Sequence, residues 1–233
     1  MLETVARRLE ELADKFVFVG GSTTQLLVTD PGVTEIRPTI DIDLIVPVTT
    51  RVEYANLEER LRAKGFLNSA APDAPICRWT VEHVIVDMLP PFEEILGFTN
   101  RWYANALETS WTFELPSSRT IRVADPVIFL ATKVEAFLGR GNNDYIGSAD
   151  IEDIITVIDG RPEFLMEIAS SNSEVQTYLR VHLRKFLSSD DFRTAVLGYL
   201  PRDHGEKPVN SPWEQRAAYH IRTPLRRLPR AIR

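Results

Sequence analysis

The sequence predicts an α/β (α+β) chain in two parts, a mixed sheet flanked by helices followed by a helical region. Three observations carry that expectation. Short β-branched runs bounded by glycine and proline, among them "KFVFVGG", "TIDIDLIV" and "HVIVDML", recur up to about residue 124. From Asp125 the period becomes helical, starting with "DPVIFLATKVEAFLGRG" and Pro126 in a first helical position. A hydrophobic content of 44% with 26% charged residues is ordinary for a globular chain, and no apolar run approaches the roughly 20 residues of a membrane span.

The leading segment "MLETVARRLEELADKF" places Leu2, Val5, Leu9, Leu12 and Phe16 at helical spacing. Charges interrupt it throughout, so it does not read as a secretory signal, and a cytoplasmic protein is expected. "KFVFVGG" reads as a buried strand ending in Gly20 and Gly21, with Ser22 placed to cap a helix in "STTQLLV". Residues 30 to 38 hold Pro31, Gly32 and Pro38 and read as a loop, and "TIDIDLIV" is the next strand. "YANLEERLRAKGF" is a helix closed by Gly65, and "ICRWTVEHVIVDMLP" is one or two strands with a break near Glu82 and His83. "SWTFEL" and "TIRVAD" form a hairpin around "PSSR". In the helical part, "SADIEDIITVIDG" is capped by Ser148 and ended by Gly160, and two or three further helices run to about Leu200. Three parts are therefore expected: 1–124, 125–200 and a Pro- and Arg-rich tail, 201–233.

Charge narrows the function classes. The chain carries −6, which argues against a general nucleic-acid binder, but its last twelve residues, "RTPLRRLPRAIR", hold five arginines and no acid. That tail reads either as a phosphate-contacting arm or as a solvated terminus. The single cysteine, Cys77, excludes an intrachain disulfide and a Cys-rich zinc site, and reads as an inert buried thiol.

The stretch "RPTIDIDLIVP" sets Asp41 and Asp43 inside an apolar run. An unpaired buried carboxylate costs several kcal/mol in order of magnitude, so both must meet solvent, a donor or a cation. Alternation sends the two aspartates to one face of the strand and Ile40, Ile42 and Leu44 to the other. Asp87, in "HVIVDML", is a third acid in a similar setting, and on a neighbouring strand it would share that face. Such a trio suits two Mg²⁺ ions, with Mn²⁺ a substitute, clamping a phosphoryl group. Gly20 and Gly21 let the backbone approach a phosphate, and Ser22 opens a helix whose amides favour anions. A Gly-Gly turn or a D-x-D pair alone is more often structural; their order along the chain carries the weight.

That order, strand, "VGGS", helix, "DID", then Asp87 on a later strand, resembles the nucleotidyltransferase superfamily that includes DNA polymerase β and the aminoglycoside nucleotidyltransferases. Its hallmark is hG[GS], then [DE]-h-[DE], then a third acid on a separate strand. The prefix "RPT" makes an R-x-[ST]-x-D-x-D pattern similar to the branch of AbiEii-type and MenT toxins, members of bacterial toxin–antitoxin systems. The later "ADIEDI" is similar to that branch's K-D-h-x-D-h element, with Ala149 where a basic residue is common. The resemblance covers about residues 16 to 160. It implies a polymerase β-like fold in which Asp41, Asp43 and Asp87 hold Mg²⁺, Lys133 neutralises triphosphate charge and Asp150 is a further functional acid. It also implies a nucleoside triphosphate, a tRNA or other RNA acceptor and a cognate antitoxin as partners.

Plainer readings stand beside these. Lys133 and Arg140, both candidate nucleotide contacts, are seven residues apart and share a helix face, with an ordinary surface lysine the plainer reading of Lys133. Asp153, one turn beyond Asp150, would orient either cation or merely be solvated. Arg37 and Thr39 are candidate phosphate contacts, against a loop cap and a β-former. His83, on the face of Asp87 by alternation, is more commonly a sheet histidine than a ligand; Trp102, Tyr103 and Trp111 read as packing, and Glu135 as solvated. Two other functions stay open. Glu82, Glu93 and Glu94 would suit an acidic site of the aminoglycoside-modifying kind, and a catalytically silent binding fold is the third alternative.

Overall fold

The structure is a computed structural model that describes residues 1–33 and 36–200; the expected arginine-rich arm lies outside the described residues. It is mixed α/β, as the sequence predicts. The described residues fall into two compact units, one of Met1–Thr23 with Arg37–Thr132 and one of Thr24–Ile36 with the chain from Lys133 onward.

The first unit is built on one seven-stranded sheet. Its strands are β1 (Val17–Val19), β2 (Asp41–Ile45), β3 (Leu67–Asn68), β4 (Arg78–Val81), β5 (Val84–Leu89), β6 (Trp111–Glu114) and β7 (Thr120–Val123), in the order β3-β4-β5-β2-β1-β7-β6. β2 runs parallel to β5 and antiparallel to β1, β1 runs parallel to β7, and the outer pairs are antiparallel hairpins. The helices of this unit are α1 (Leu2–Leu9), α3 (Arg51–Ala63), α4 (Glu93–Leu96) and α5 (Tyr103–Thr109). α1 buries Val5 and Leu9, and Leu12 and Phe16 beyond it are buried too, which accounts for the apolar spacing read there. α3 starts at Thr50, whose side chain accepts from the Glu53 amide, and is followed by Gly65 at φ 84.

Sheet alternation sorts the side chains of β2, β4 and β5. Trp79, Val86 and Ile42 stand side by side across the three strands and are wholly buried, as are Met88 and Leu44. Arg78, Asp87 and Asp43 form a row on the opposite face. Ile40 departs from expectation: it precedes β2 and is 76% exposed, because the strand begins at Asp41 and alternation cannot bury a residue outside it. His83 is also displaced from its expected face. With Glu82 it forms the two-residue turn between β4 and β5, both at positive φ (45° and 70°), so strand alternation does not reach it.

The second unit is helical. It holds α2 (Thr24–Leu27), the Lys133–Arg140 part of α6 (Pro126–Arg140), α7 (Ala149–Gly160), α8 (Phe164–Ser170), α9 (Ser173–Leu187) and α10 (Asp190–Tyr199). The change from strand to helix occurs where the sequence puts it, with Asp125 accepting from the amides of Val127 and Ile128 to cap α6. The compact units divide elsewhere, at 132/133, and residues 24–36 go with the helices. The reason is local. The amides of Thr29 and Asp30 donate to the Gly160 carbonyl at 2.8 and 2.9 Å, and Arg161 donates to the Leu27 carbonyl at 2.7 Å. A side chain at Gly160 would meet Val28 at 2.8 Å, so only glycine admits the segment there. Phe137, Tyr145, Phe186 and Phe192 pack edge-on and tilted as the aromatic centre of this unit. Among the described residues no helix is long and apolar enough to cross a membrane.

The register of β2 makes a paired prediction. Ile42→Ala removes a fully buried side chain and should cost about 2–5 kcal/mol in urea unfolding, whereas Ile40→Ala should stay within about 0.5 kcal/mol of the parent.

Candidate active site

The acid face arises from pairing alone. β2 and β5 are parallel neighbours with Asp43 opposite Asp87 and Asp41 opposite Ile85. Residues opposite each other in a ladder share a face, so all three aspartates lie on the one that is not walled by Trp79, Val86 and Ile42. Two like charges about 5 Å apart at an effective dielectric of about 20 repel by about 3 kcal/mol, so this arrangement needs a counter-charge.

Arg78 supplies it. β4 pairs with β5 so that Arg78 stands directly opposite Asp87. Its Nε donates to one Asp87 oxygen at 2.9 Å and its Nη2 to the other at 2.7 Å, a fork-on-fork pair. The same Nη2 lies 3.9 Å from the Asp41 carboxylate, so one guanidinium addresses two of the three acids. The side chains of Arg78 and Asp41 are 30% and 35% exposed, and that of Asp87 10%. Cys77, buried beside Arg78, is inert: burial and the Asp87 charge push its thiol up to about 12.

The glycine turn abuts the same acids. Gly20 sits at the end of β1 with φ 79°, and a Cβ there would lie 1.9 Å from Asp43 Oδ2. Gly21, Ser22 and Thr23 form a single 3₁₀ turn, in which Thr23 Oγ1 donates to the Gly20 carbonyl at 2.9 Å. Ser22 does not cap a helix as expected. Its hydroxyl oxygen is buried without a hydrogen-bond partner among the described residues, because α2 starts two residues later and the turn closes on Thr23 instead. A buried, unsatisfied hydroxyl is costly unless something else accepts or donates to it. Thr39 Oγ1 is spent on the Asp41 carbonyl at 3.4 Å, and Arg37 is half-buried just upstream.

These residues fit a hard divalent cation in kind. Three carboxylates offer oxygen donors on one face, a guanidinium already stands among them as a positive charge, and Gly20 lets the Asp43 carboxylate lie where any Cβ would collide with it. They are not a ready-made cage: among the described residues no three acids, histidines or cysteines converge on one point. Both Asp87 oxygens face Arg78.

The second unit holds its own charge cluster. Lys133 Nζ lies 3.2 Å from Asp150 Oδ1 and 2.6 Å from Asp153 Oδ2, with all three side chains under 10% exposed. Arg140 closes on Asp150 with two hydrogen bonds of 3.1 Å from the solvent side, its side chain 73% exposed. Thr24 Oγ1 donates to Asp153 at 3.4 Å. So Lys133 and Arg140 do share a helix face, Asp150 and Asp153 both serve it, and the lysine is no surface residue. Burial pushes the Asp150 carboxyl up, but the Lys133 charge and the Arg140 hydrogen bonds outweigh it and hold the group below its usual value. Glu135 is not simply solvated either, since it accepts from the Tyr178 hydroxyl at 2.5 Å.

The remaining sequence candidates sort plainly. Trp102 is buried, whereas Trp111 lies exposed on the edge strand β6. Glu82 is held by Arg7 and Arg8 at the β4–β5 turn. Arg78 is the site residue that sequence reasoning missed. A two-residue turn at Glu82 and His83 forces it opposite Asp87, but Glu-His lacks the Asn-Gly chemistry that advertises such a turn. Compared with protein-family models and with curated proteins, the chain matches none.

Two predictions follow from this geometry. Gly20→Ala should cost at least about 2 kcal/mol more than Gly97→Ala, because both residues have positive φ but only Gly20 lies against another side chain; chemical denaturation checks the difference. Lys133→Met removes the cation shared by two buried carboxylates, leaving Asp150 with Arg140, and should cost about 3–5 kcal/mol at pH 7. In the parent, the stability due to the lowered Asp150 group is present above the ordinary carboxylate range and lost as pH falls below that range through the lowered value. The penalty of Lys133→Met should therefore shrink toward acid pH, as a series of denaturation curves would show.

Proposed function

We propose that the chain is a Mg²⁺-dependent nucleotidyltransferase. It moves a nucleoside monophosphate from a nucleoside triphosphate to an acceptor hydroxyl, in the manner of AbiEii- and MenT-like toxins acting on tRNA. The observation that carries the reading is the acid face: Asp41, Asp43 and Asp87 on adjacent parallel strands, with the Gly20–Ser22 turn against Asp43. Asp41 and Asp43 would hold the cation, with Asp87 as the third ligand. Bound Mg²⁺ would supply neutralisation of phosphate charge and polarisation of the phosphoryl oxygens.

The chain's own residues do the rest by position. The backbone at Gly20 and Gly21 carries no side chain to keep a phosphate away, and the Ser22 hydroxyl is left to donate to a phosphate oxygen. A carboxylate oxygen of Asp87 accepts the proton of the acceptor hydroxyl. The acceptor's own oxygen, freed of that proton, then bonds to the α-phosphorus as the bond between the α-phosphorus and the bridging oxygen to the β-phosphate breaks and pyrophosphate leaves. The role of Lys133 in neutralising triphosphate charge stays an implication of the resemblance; its ammonium is paired with Asp150 and Asp153. An acceptor of the RNA type rests on the "RPTIDID" and "ADIEDI" elements and on the arginines of the tail, and a cognate antitoxin follows from the same resemblance. The aminoglycoside alternative loses Glu82, which is engaged with Arg7 and Arg8.

The test supplies α-labelled nucleoside triphosphates and Mg²⁺ with total tRNA in one arm and an aminoglycoside panel in another. Label is expected on tRNA alone. Label only on the aminoglycosides would replace the acceptor, and label on neither would favour the silent fold. The double variant Asp41→Asn with Asp43→Asn should abolish transfer while its circular dichroism stays that of the parent, because removing two clustered charges relieves repulsion. Transfer by that variant would sink the site.

A further inference from the structure

We infer that Arg78 is the positioning residue of the acid face, an internal cation that competes with divalent metal for Asp87 and sets how tightly the face binds it. This rests on the metal-dependent reading given above. Arg78 contacts no expected ligand group other than the acids themselves: it takes both oxygens of Asp87 and stands 3.9 Å from Asp41. Any cation that recruits an Asp87 oxygen must displace at least one of those two hydrogen bonds. The contact is also set by the backbone, since Arg78 and Asp87 are register partners across β4 and β5.

Two features separate this pair from an ordinary structural ion pair. The first is access. Arg78 is 30% exposed and extends from a strand whose next residue, Trp79, is fully buried on the opposite face, so the guanidinium can leave toward solvent without moving the strand. The Lys133 ammonium, by contrast, is enclosed by Asp150 and Asp153 at 9% exposure and has no such exit. The second is shared use: a pair serving only the β4–β5 hairpin has no reason to reach toward Asp41, which lies beyond β5 on β2. One positive charge placed over acids from two strands does the work of a cation on that face.

A competing internal cation lowers the apparent affinity for the external one by the cost of displacing it. Mn²⁺ is the probe, read by isothermal calorimetry and by the loss of its free-ion paramagnetic resonance signal, on the whole chain without nucleotide. Arg78→Gln should bind Mn²⁺ at least about tenfold more tightly than the parent, and Arg78→Lys should fall between, because an ammonium cannot fork onto both Asp87 oxygens. In thermal melts Arg78→Gln should lie below the parent without metal and gain more from Mn²⁺ than the parent does. A purely structural role would lower the melting temperature and leave the Mn²⁺ affinity unmoved. Should Arg78→Gln fail to fold, Arg78→Lys carries the test alone, and binding no tighter than the parent would overturn the proposal. Mn²⁺ binding that is equal or weaker in Arg78→Gln, but abolished by Asp41→Asn with Asp43→Asn, defeats the role of Arg78 and leaves the metal site standing. Absence of binding in the parent and in Arg78→Gln up to about 10 mM defeats both.

Discussion

Asp43 and Asp87 face each other across two adjacent strands of one sheet, and that opposition is the constraint on which the first unit turns. Backbone pairing at a strand spacing of about 4.8 Å fixes the roots of both aspartates on one face. The sheet answers with its own order. β5 lies between β2 and β4, so the acid on β5 has an acid on one side and Arg78 on the other. Shifting β4 by one residue would turn Trp79 to this face and bury Arg78, which the register of Trp79 against Val86 and Ile42 forbids. Hydrophobic packing on one face thus places the charges on the other.

The two charge clusters obey the same electrostatics with different outcomes. In the second unit, Lys133 is enclosed by Asp150 and Asp153, and only Arg140 reaches solvent. Removing a partner there strands buried charge, so that cluster behaves as structure. On the acid face, Asp41 and Arg78 are about a third exposed, so solvent screens that pair as it does not screen Lys133. Glycine makes the same contrast. Gly160 lets residues 28–33 lie on α7 and serves packing, whereas Gly20 makes room for a carboxylate oxygen at 1.9 Å from where its Cβ would be.

Much of the fold was legible because it rests on signals local in sequence. Ser148 and Gly160 bracket α7, Pro126 opens α6, and the β-branched runs are strands with their acids on one face. What escaped was decided by pairing between segments. Ile40 obeys the alternation of "TIDIDLIV" but lies outside β2, so no neighbour covers it. Ser22 has the chemistry of a cap, yet the chain turns through a 3₁₀ step before α2 begins. The grouping of residues 24–36 with the helices depends on hydrogen bonds to the Gly160 carbonyl, more than a hundred residues away in sequence, and no local pattern announces it. Arg78 was hidden for the same reason, since its role depends on the register of a hairpin whose turn is closed by Glu82 and His83.

The identity of the residue at position 78 matters as much as its charge. A lysine there would offer a compact ammonium that satisfies one oxygen at a time and leaves the rest of Asp87 to repel Asp43. A neutral side chain would take from Asp87 both of its hydrogen bonds to the guanidinium and from Asp41 a positive charge 3.9 Å away. Arginine alone presents two parallel donors to Asp87 and still turns an Nη toward Asp41. The same planarity makes it a poor permanent tenant for a site built on oxygen donors, because it cannot enter between the carboxylates as a small ion does. A guanidinium that lies across acids of two strands, about a third exposed to solvent, is the positive group that the proposed metal would have to displace from Asp87.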